Sequence, residues 1–145
     1  MKIREMVESD YRVASSMLAQ LYDEHVLLRP HYYGDAHLIV LETLFGESDL
    51  KVVAEDEHGD MVGFVRGELI DSGGNKFVVI HDIFIRSLFR GKGLGSLLMG
   101  YVYDKARLAG ALSVRLQVDT RNSEAVSFWK KEGFEISHYK MDKAL

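Results

Sequence analysis

The chain has 145 residues, 47% of them hydrophobic and 28% charged, and it carries a formal net charge of −4. This composition is typical of a globular protein and excludes disorder and fibrous repeats, while the length predicts one domain over residues 1–145. Because the chain has no cysteine, disulfides, a thiol nucleophile and thiolate metal sites are excluded. The acidic balance disfavours nucleic acid as a partner, since phosphate binding needs a basic surface.

Neither a membrane segment nor a metal site is predicted. The apolar runs are far shorter than the roughly 18 residues of a membrane span, and residues 1–5 lack the apolar core of a signal peptide. The six histidines are scattered without the spacing of metal ligands. These features predict a cytoplasmic protein.

Periodic hydrophobic positions and glycine turns predict an α/β fold in the order β-α-α-β-β-β-α-β-α-β, a mixed sheet with helices on its faces. In chain order, the predicted elements are a strand Lys2–Glu5, a helix from Ser9 or Asp10 to Arg29, a helix from Asp35 to Gly46, strands Lys51–Glu55, Met61–Leu69 and Lys76–Ile85, a helix from Leu94 to Gly110, a strand Ser113–Val118, a helix capped by Ser123 that runs to Lys131, and a strand Phe134–Met141. The strand Lys76–Ile85 is expected near the centre of the sheet because its β-branched run is apolar on both faces.

A glycine-rich turn joins this strand to the next helix, with the sequence Arg90-Gly91-Lys92-Gly93-Leu94-Gly95-Ser96. The unpaired N–H groups of a helix N-terminus attract anions, and glycines let a phosphate approach the backbone. The spacing does not match a Walker A loop, and Ser96 stands where the Rossmann fingerprint needs a third glycine. The turn therefore predicts a different kind of phosphate site.

The pattern Arg90-x-x-Gly93-x-Gly95 resembles the Arg/Gln-x-x-Gly-x-Gly/Ala motif with which the GNAT superfamily of N-acetyltransferases holds the pyrophosphate of acetyl-CoA. A second segment is similar to the downstream motif of that family, Asn-x-x-Ala-x-x-Phe-Tyr-x-Lys-x-Gly-Phe. It reads Asn122-Ser-Glu-Ala125-Val-Ser-Phe128-Trp129-Lys130-Lys131-Glu132-Gly133-Phe134. The predicted element order also resembles that of the family. The resemblance implies a GNAT fold and transfer of acetyl from acetyl-CoA to a primary amine of a polyamine, an amino acid or a similar small molecule, or to a protein N-terminus.

The resemblance also implies which residues contact acetyl-CoA. They are the backbone of Ile83, Phe84 and Ile85, the turn residues Arg90, Gly91, Lys92, Gly93, Leu94, Gly95 and Ser96, and Asn122, Phe128 and Lys131 of the downstream motif. Asn122 has an alternative role as an ordinary loop residue before the helix. Phe128 has an alternative role as a core residue, because it shares a helix face with Ala125.

Candidates for the catalytic base are His81 and Asp82, near the position at which family members with an acidic base carry it. Neighbouring strand residues point to opposite faces, so only one of the two faces the amine unless a bulge intervenes. Asp82 has alternative roles in attracting a cationic substrate or in an ion pair, and His81 as a packed histidine.

The general acid departs from the family pattern. Trp129 stands where the family commonly has a tyrosine, and an indole does not donate a proton in catalysis. Tyr139 is the first substitute, Tyr101 and Tyr103 follow, and departure of the thiolate without a protein acid is the other option.

Substrate contacts are expected from the first two helices and the segment between them. The candidates combine acidic and aromatic groups that suit a cationic amine, namely Tyr22, Glu24, His25, Tyr32 and Tyr33. A solvated helix end with packed tyrosines is an equal alternative.

Other aspects of function follow from the same features. The lack of cysteine favours direct attack of the amine on acetyl-CoA over a cysteine-linked intermediate. The predicted last strand is an edge through which a homodimer can form. Rival functions are a non-catalytic acetyl-CoA-binding sensor and another kind of nucleotide-binding α/β protein.

Overall fold

The computed structural model describes residues 1–30 and 41–145. Its elements are β1 (Lys2–Glu5), α1 (Tyr11–Leu28), α2 (Leu41–Glu47), β2 (Leu50–Glu55), β3 (Met61–Ser72), β4 (Asn75–Ile85), α3 (Leu94–Leu108), β5 (Ser113–Leu116) and α4 (Ser123–Lys131), with 3₁₀ turns at Glu8–Asp10 and Ser87–Phe89. No helix in this described part is both long enough and apolar enough to cross a membrane.

The strands form one mixed sheet in the order β1-β2-β3-β4-β5. Neighbouring strands are antiparallel from β1 to β4, whereas β4 and β5 are parallel because α3 crosses between them. The predicted α/β class and the mixed sheet are therefore confirmed.

Two cores lie on opposite faces of the sheet. One face packs against α3 and α4 and includes Val65, Val78 and Leu98. The other packs against α1 and α2 and includes Leu18 and Phe84. Since side chains alternate between faces along a strand, membership of one core or the other shows which way each residue points.

The predicted strand Phe134–Met141 is wrong for the isolated chain, because no helix or strand follows α4. Ile136 and Met141 are 67% and 89% exposed. Within the described residues no strand of the sheet pairs with this segment, so its backbone has no ladder partner in the isolated chain. Of the predicted second helix, Asp35–Val40 lies outside the described residues.

Candidate active site

A bulge in β4 brings both catalytic candidates to one face of the sheet. Arg66 lies opposite Asp82 and Gly67 opposite Ile80, so His81 is an extra residue without a partner on β3. A Cβ on Gly67 would lie 2.4 Å from the Val79 carbonyl oxygen, so only glycine fits there. In a regular strand, Asp82 would point to the α3 face together with Ile80, two residues before it. The bulge reverses the alternation, so Asp82 points to the α1 face instead.

Asp82 is buried in an ion pair with Arg66. Arg66 reaches its Oδ2 with Nη2 at 2.6 Å and Nε at 2.8 Å, and also donates to the Ser48 hydroxyl at 3.3 Å. Asp82 and Arg66 are 6% and 8% exposed. Burial raises the pKa of the neighbouring Tyr22, and the negative charge of Asp82 raises it further, while Arg66 opposes both effects. The structure thus shows the ion-paired arrangement that was the alternative for Asp82.

His81 remains accessible. Its Nε2 lies 3.4 Å from Glu68 Oε2, and the two side chains are 36% and 40% exposed. Glu68 follows Arg66 by two residues on β3, so both point to the α1 face. His81 therefore shares this face with Asp82 but, unlike it, is open to a small molecule.

A gap opens between β4 and β5 beyond the bulge. Their pairing ends where Ile80 meets Leu116, whereas β4 continues to Ile85. Arg86 N–H donates to the Val62 carbonyl, and the alternation of antiparallel pairs then turns the N–H groups of Ile83 and Ile85 away from β3. These two predicted backbone donors therefore face the gap.

The glycine-rich turn lies at the N-terminus of α3. Gly91 and Gly93 have φ angles of 74° and 81°, which glycine adopts without strain. Gly93 is the N-cap and brings no side-chain cap, so the first-turn N–H groups of Leu94, Gly95 and Ser96 have no intrahelical acceptor. Their dipoles and the missing side chains fit a phosphate group.

The charged side chains of the turn are directed elsewhere. Arg90 Nε donates to the Ile85 carbonyl at 2.7 Å, and its Nη2 lies 3.5 Å from Glu24 Oε1. Lys92 Nζ lies 6.0 Å from the centre of the Phe89 ring. Glu24, a predicted substrate residue, is therefore beside the phosphate turn.

The downstream motif forms α4 and packs against this turn. Asn122, not the expected Ser123, caps the helix, since its Oδ1 accepts a hydrogen bond from Ala125 N–H at 3.1 Å. A Cβ on Gly95 would lie 2.9 Å from the Phe128 ring, so that close approach requires glycine. Lys131 is exposed and borders a shallow surface groove along α4.

Trp129 belongs to the core rather than to the gap. It is 6% exposed, and its ring makes edge contacts with Phe128 and Phe134 at centroid distances of 4.7 and 5.2 Å. The tyrosine position of the family motif is thus filled here by a packing residue.

The candidate tyrosines are not brought together. Tyr139 is 85% exposed, and within the described chain it makes no hydrogen bond or ring contact with residues of the gap. Tyr103 donates to Glu132 at 3.1 Å, and the Lys105 ammonium lies 5.8 Å from the centre of the Tyr101 ring. Tyr22 and His25 are neighbours on α1, with ring centroids 6.4 Å apart. Two further predicted substrate residues, Tyr32 and Tyr33, lie outside the described residues.

Sequence reasoning missed Arg66 and Glu68. Both are charged residues on the same face of a strand that is otherwise mostly apolar. Two charges spaced by two residues inside such a strand are a signal for a buried partner or a site, and that signal was present in the sequence.

Comparisons with known proteins point to one family. Residues 18–134 match the model of the Acetyltransferase (GNAT) family. An L-methionine sulfoximine/L-methionine sulfone acetyltransferase of Pseudomonas aeruginosa is 30% identical over 59% of this chain and 51% of its own length. An aminoalkylphosphonate N-acetyltransferase of Salmonella typhimurium is 32% identical over 46% of this chain and 43% of its own. The chain thus spans about half the length of these relatives.

The fold has a close match among solved structures. A Bacillus halodurans protein solved as a tetramutant superposes with a TM-score of 0.91 over 100% of both chains, at 21% sequence identity. At this identity the match supports the fold alone.

Proposed function

The chain belongs to the GNAT acetyltransferase family, and from that premise we propose that it transfers acetyl from acetyl-CoA to the primary amine of a small molecule by direct attack. The observation that carries the proposal is the gap between β4 and β5, with the α3 N-terminus on one side and the accessible His81–Glu68 pair on the other. An amino acid or a related small amine fits this opening better than a protein N-terminus, because α1 and Tyr22 crowd the same face. We further propose a single cytoplasmic domain.

The donor is proposed to bind along the gap. The first-turn N–H groups of α3 and the turn glycines would hold its pyrophosphate, and the N–H groups of Ile83 and Ile85 would hold its arm and orient the acetyl carbonyl. When bound, acetyl-CoA supplies the thioester from which the acetyl group is taken. Arg90 would act indirectly by holding the Ile85 carbonyl and so fixing the end of β4.

Proton transfer is assigned to His81. Glu68 lies beside Nε2, and Nδ1 makes no hydrogen bond to a described residue, so it is available to accept a proton from the amine. Asp82 is proposed to contribute its negative charge and to shape the site, and not to accept a proton, because its carboxylate is already paired with Arg66.

We also propose that the protein acts as a homodimer, with Phe134–Met141 of one copy pairing with the outer edge of β5 of the other. Within the described residues, β5 has a strand neighbour on one side only, and unpaired edges attract strands. Pairing would bury Ile136 and Met141, which are exposed in the isolated chain. Because that edge faces away from the gap, the pairing does not by itself bring Tyr139 to the leaving group, and the CoA thiolate is proposed to depart without a protein acid.

Binding and turnover test the proposed activity separately. Thermal unfolding with acetyl-CoA, CoA and NAD shows whether the turn selects CoA, and thiol release with a panel of amines shows turnover. Stabilisation by both CoA compounds together with thiol release supports the proposal. Stabilisation by NAD alone contradicts it.

A sensor is the second candidate function, because the core position of Trp129 removes the family's usual proton donor from the gap. Binding of acetyl-CoA without turnover of any amine in the panel would favour the sensor over the enzyme.

His81→Gln tests the assigned base. It should lower kcat by about 10²-fold or more with little change in acetyl-CoA affinity, since a positioned base contributes on that order. The matched control is His58→Gln, because His58 also pairs with a glutamate, at 3.6 Å, but lies on the exposed β2–β3 loop. Equal activity of the two variants would remove His81 from the mechanism.

A further inference from the structure

A row of side chains crosses the α1 face of the sheet next to the proposed base. Val79 lies opposite Glu68 on β3 and opposite Arg115 on β5. Val78 and Ile80 point into the α3 core, so Val79 and Phe77 point to the opposite face, and paired neighbours share that face. Glu68, Val79 and Arg115 therefore stand side by side, with His81 one step further along β4.

Arg115 is held in place by packing rather than by charge. Its guanidinium carbon lies 3.7 Å from the centre of the Phe77 ring, which orients the planar group by cation–π stacking. Its hydrogen bond to the Ser113 hydroxyl is long, at 3.4 Å, and among the described residues Arg115 has no acidic partner. The edge N–H groups of the guanidinium are thus left to bind another group.

The other arginine in β3, β4 and β5 is already neutralised, because Arg66 is paired with Asp82. Arg115 is the only charged residue of β5. It is therefore a fixed positive charge without a partner among the described residues, beside an open glutamate–histidine pair.

We propose that Arg115 binds an anionic group of the acceptor, so that the substrate class is a small amine that also carries a carboxylate, phosphonate or similar anion. Strand rise and spacing put the backbones of Arg115 and His81 roughly 8 Å apart, so one small molecule can reach both side chains. The anion receives a forked pair of N–H bonds from the guanidinium while the amine meets Glu68 and His81. A polycation is disfavoured by the same arginine.

This inference rests on the proposed acetyltransferase activity, and matched acceptor pairs test it. The pairs are L-methionine with 3-(methylthio)propylamine and 2-aminoethylphosphonate with ethanolamine, and spermidine serves as the polycation. For the wild type, kcat/KM should be roughly 10- to 100-fold higher for the anionic member of each pair. Arg115→Gln should remove most of that advantage by lowering kcat/KM more for the member with the anionic group than for the member without it.

Two further variants separate charge from folding. Arg115→Lys keeps the positive charge but not the pair of parallel N–H donors, so it should keep only part of the preference for the member with the anionic group. Arg107→Gln, at an exposed arginine on α3 that faces Asp104, should leave it intact. A wild-type preference for spermidine or for the amines without an anionic group overturns the proposal, as does an equal loss with both members of a pair in Arg115→Gln.

Binding distinguishes failure of the inference from failure of the activity. If no amine is acetylated, the proposed activity fails, and thermal stabilisation of the CoA-bound protein by each acceptor then decides the inference. Stabilisation by the anionic members that is lost in Arg115→Gln supports it. No stabilisation, or stabilisation that does not depend on Arg115, overturns it.

Discussion

At the bulge in β4, the carboxylate of Asp82 is buried against Arg66, whereas the imidazole of His81 stays open beside Glu68. Removing one partner of a buried ion pair leaves an uncompensated charge, which costs about 3–5 kcal/mol of stability. Asp82 is therefore tied to the fold, and this is the physical reason for assigning proton transfer to its neighbour. The burial of Asp82 and the exposure of His81 do not follow from their positions in the sequence, because Arg66 contacts Asp82 from another strand.

Gly95 lies where a larger side chain meets the Phe128 ring. In Gly95→Ala, the new Cβ would stand 2.9 Å from the Phe128 ring, and such overpacking costs about 1–3 kcal/mol. We expect a lower melting temperature and a weaker thermal shift with CoA, because the displaced ring borders the phosphate turn.

The control for Gly95→Ala lies in the same helix. A Cβ on Gly100 meets nothing within 4 Å, so Gly100→Ala should stabilise the protein by about 0.5–1 kcal/mol and leave CoA binding unchanged. Equal melting temperatures and equal CoA shifts for the two variants would contradict a steric conflict between a Cβ at position 95 and the Phe128 ring.

Tyr103 gives a pH-dependent prediction. Burial and the adjacent Glu132 carboxylate raise the pKa of Tyr103 to about 12. A raised pKa means that the folded state holds the proton more tightly, so this contribution to stability is complete below about pH 10 and is lost as the pH rises towards about 12. Urea unfolding of Tyr103→Phe should show a smaller decline of the free energy of unfolding over that range than the wild type.

Two outcomes would decide the role of Tyr103. Glu132→Gln should reduce the same decline, because it removes the charge that opposes ionisation of the phenol. Parallel pH profiles for the wild type and Tyr103→Phe would contradict the raised pKa.

Among the secondary-structure elements, the segment after α4 carries the prediction about assembly. Ile136→Lys should shift the wild-type dimer to monomer in light scattering after size exclusion, because the lysine would have to enter the proposed strand pairing. Leu108→Lys is the matched control, since Leu108 is also exposed, at 90%, but lies at the end of α3. A monomeric wild type at all concentrations would contradict the homodimer.

Most elements could be predicted from local patterns. Alternating β-branched residues fixed β1 to β4 to within a few residues, and glycines marked the start of α3 and the end of α4. The segment Phe134–Met141 has strand composition but no strand partner in the isolated chain, and pairing is a non-local property that composition does not contain.

Only part of the candidate site, likewise, could be predicted from the sequence. The glycine-rich turn was predictable because its φ angles and free N–H groups arise within a few residues. The roles of Glu68 and Arg115 were not, because they depend on the register that places both opposite Val79. A shift of that register by one residue would send each side chain to the other face.

For the molecule as a whole, the two faces of the sheet supply different parts of the proposed site. The α3 face supplies the helix N-terminus and the close contact between Gly95 and Phe128, while the α1 face holds His81, Glu68 and Arg115. The gap between β4 and β5 is the passage between the two. In the proposed reaction, donor and acceptor would therefore approach from opposite faces without competing for the same side chains.

The packing of Trp129 makes the protein its own optical reporter. It is the single tryptophan of the chain, buried, and in edge contact with Phe128, whose ring in turn lies against Gly95 at the phosphate turn. Any ligand that moves the turn changes the surroundings of one indole, and when tryptophan is excited selectively over the seven tyrosines no second indole dilutes the signal. Intrinsic fluorescence can thus follow occupancy of the gap in real time, without a label.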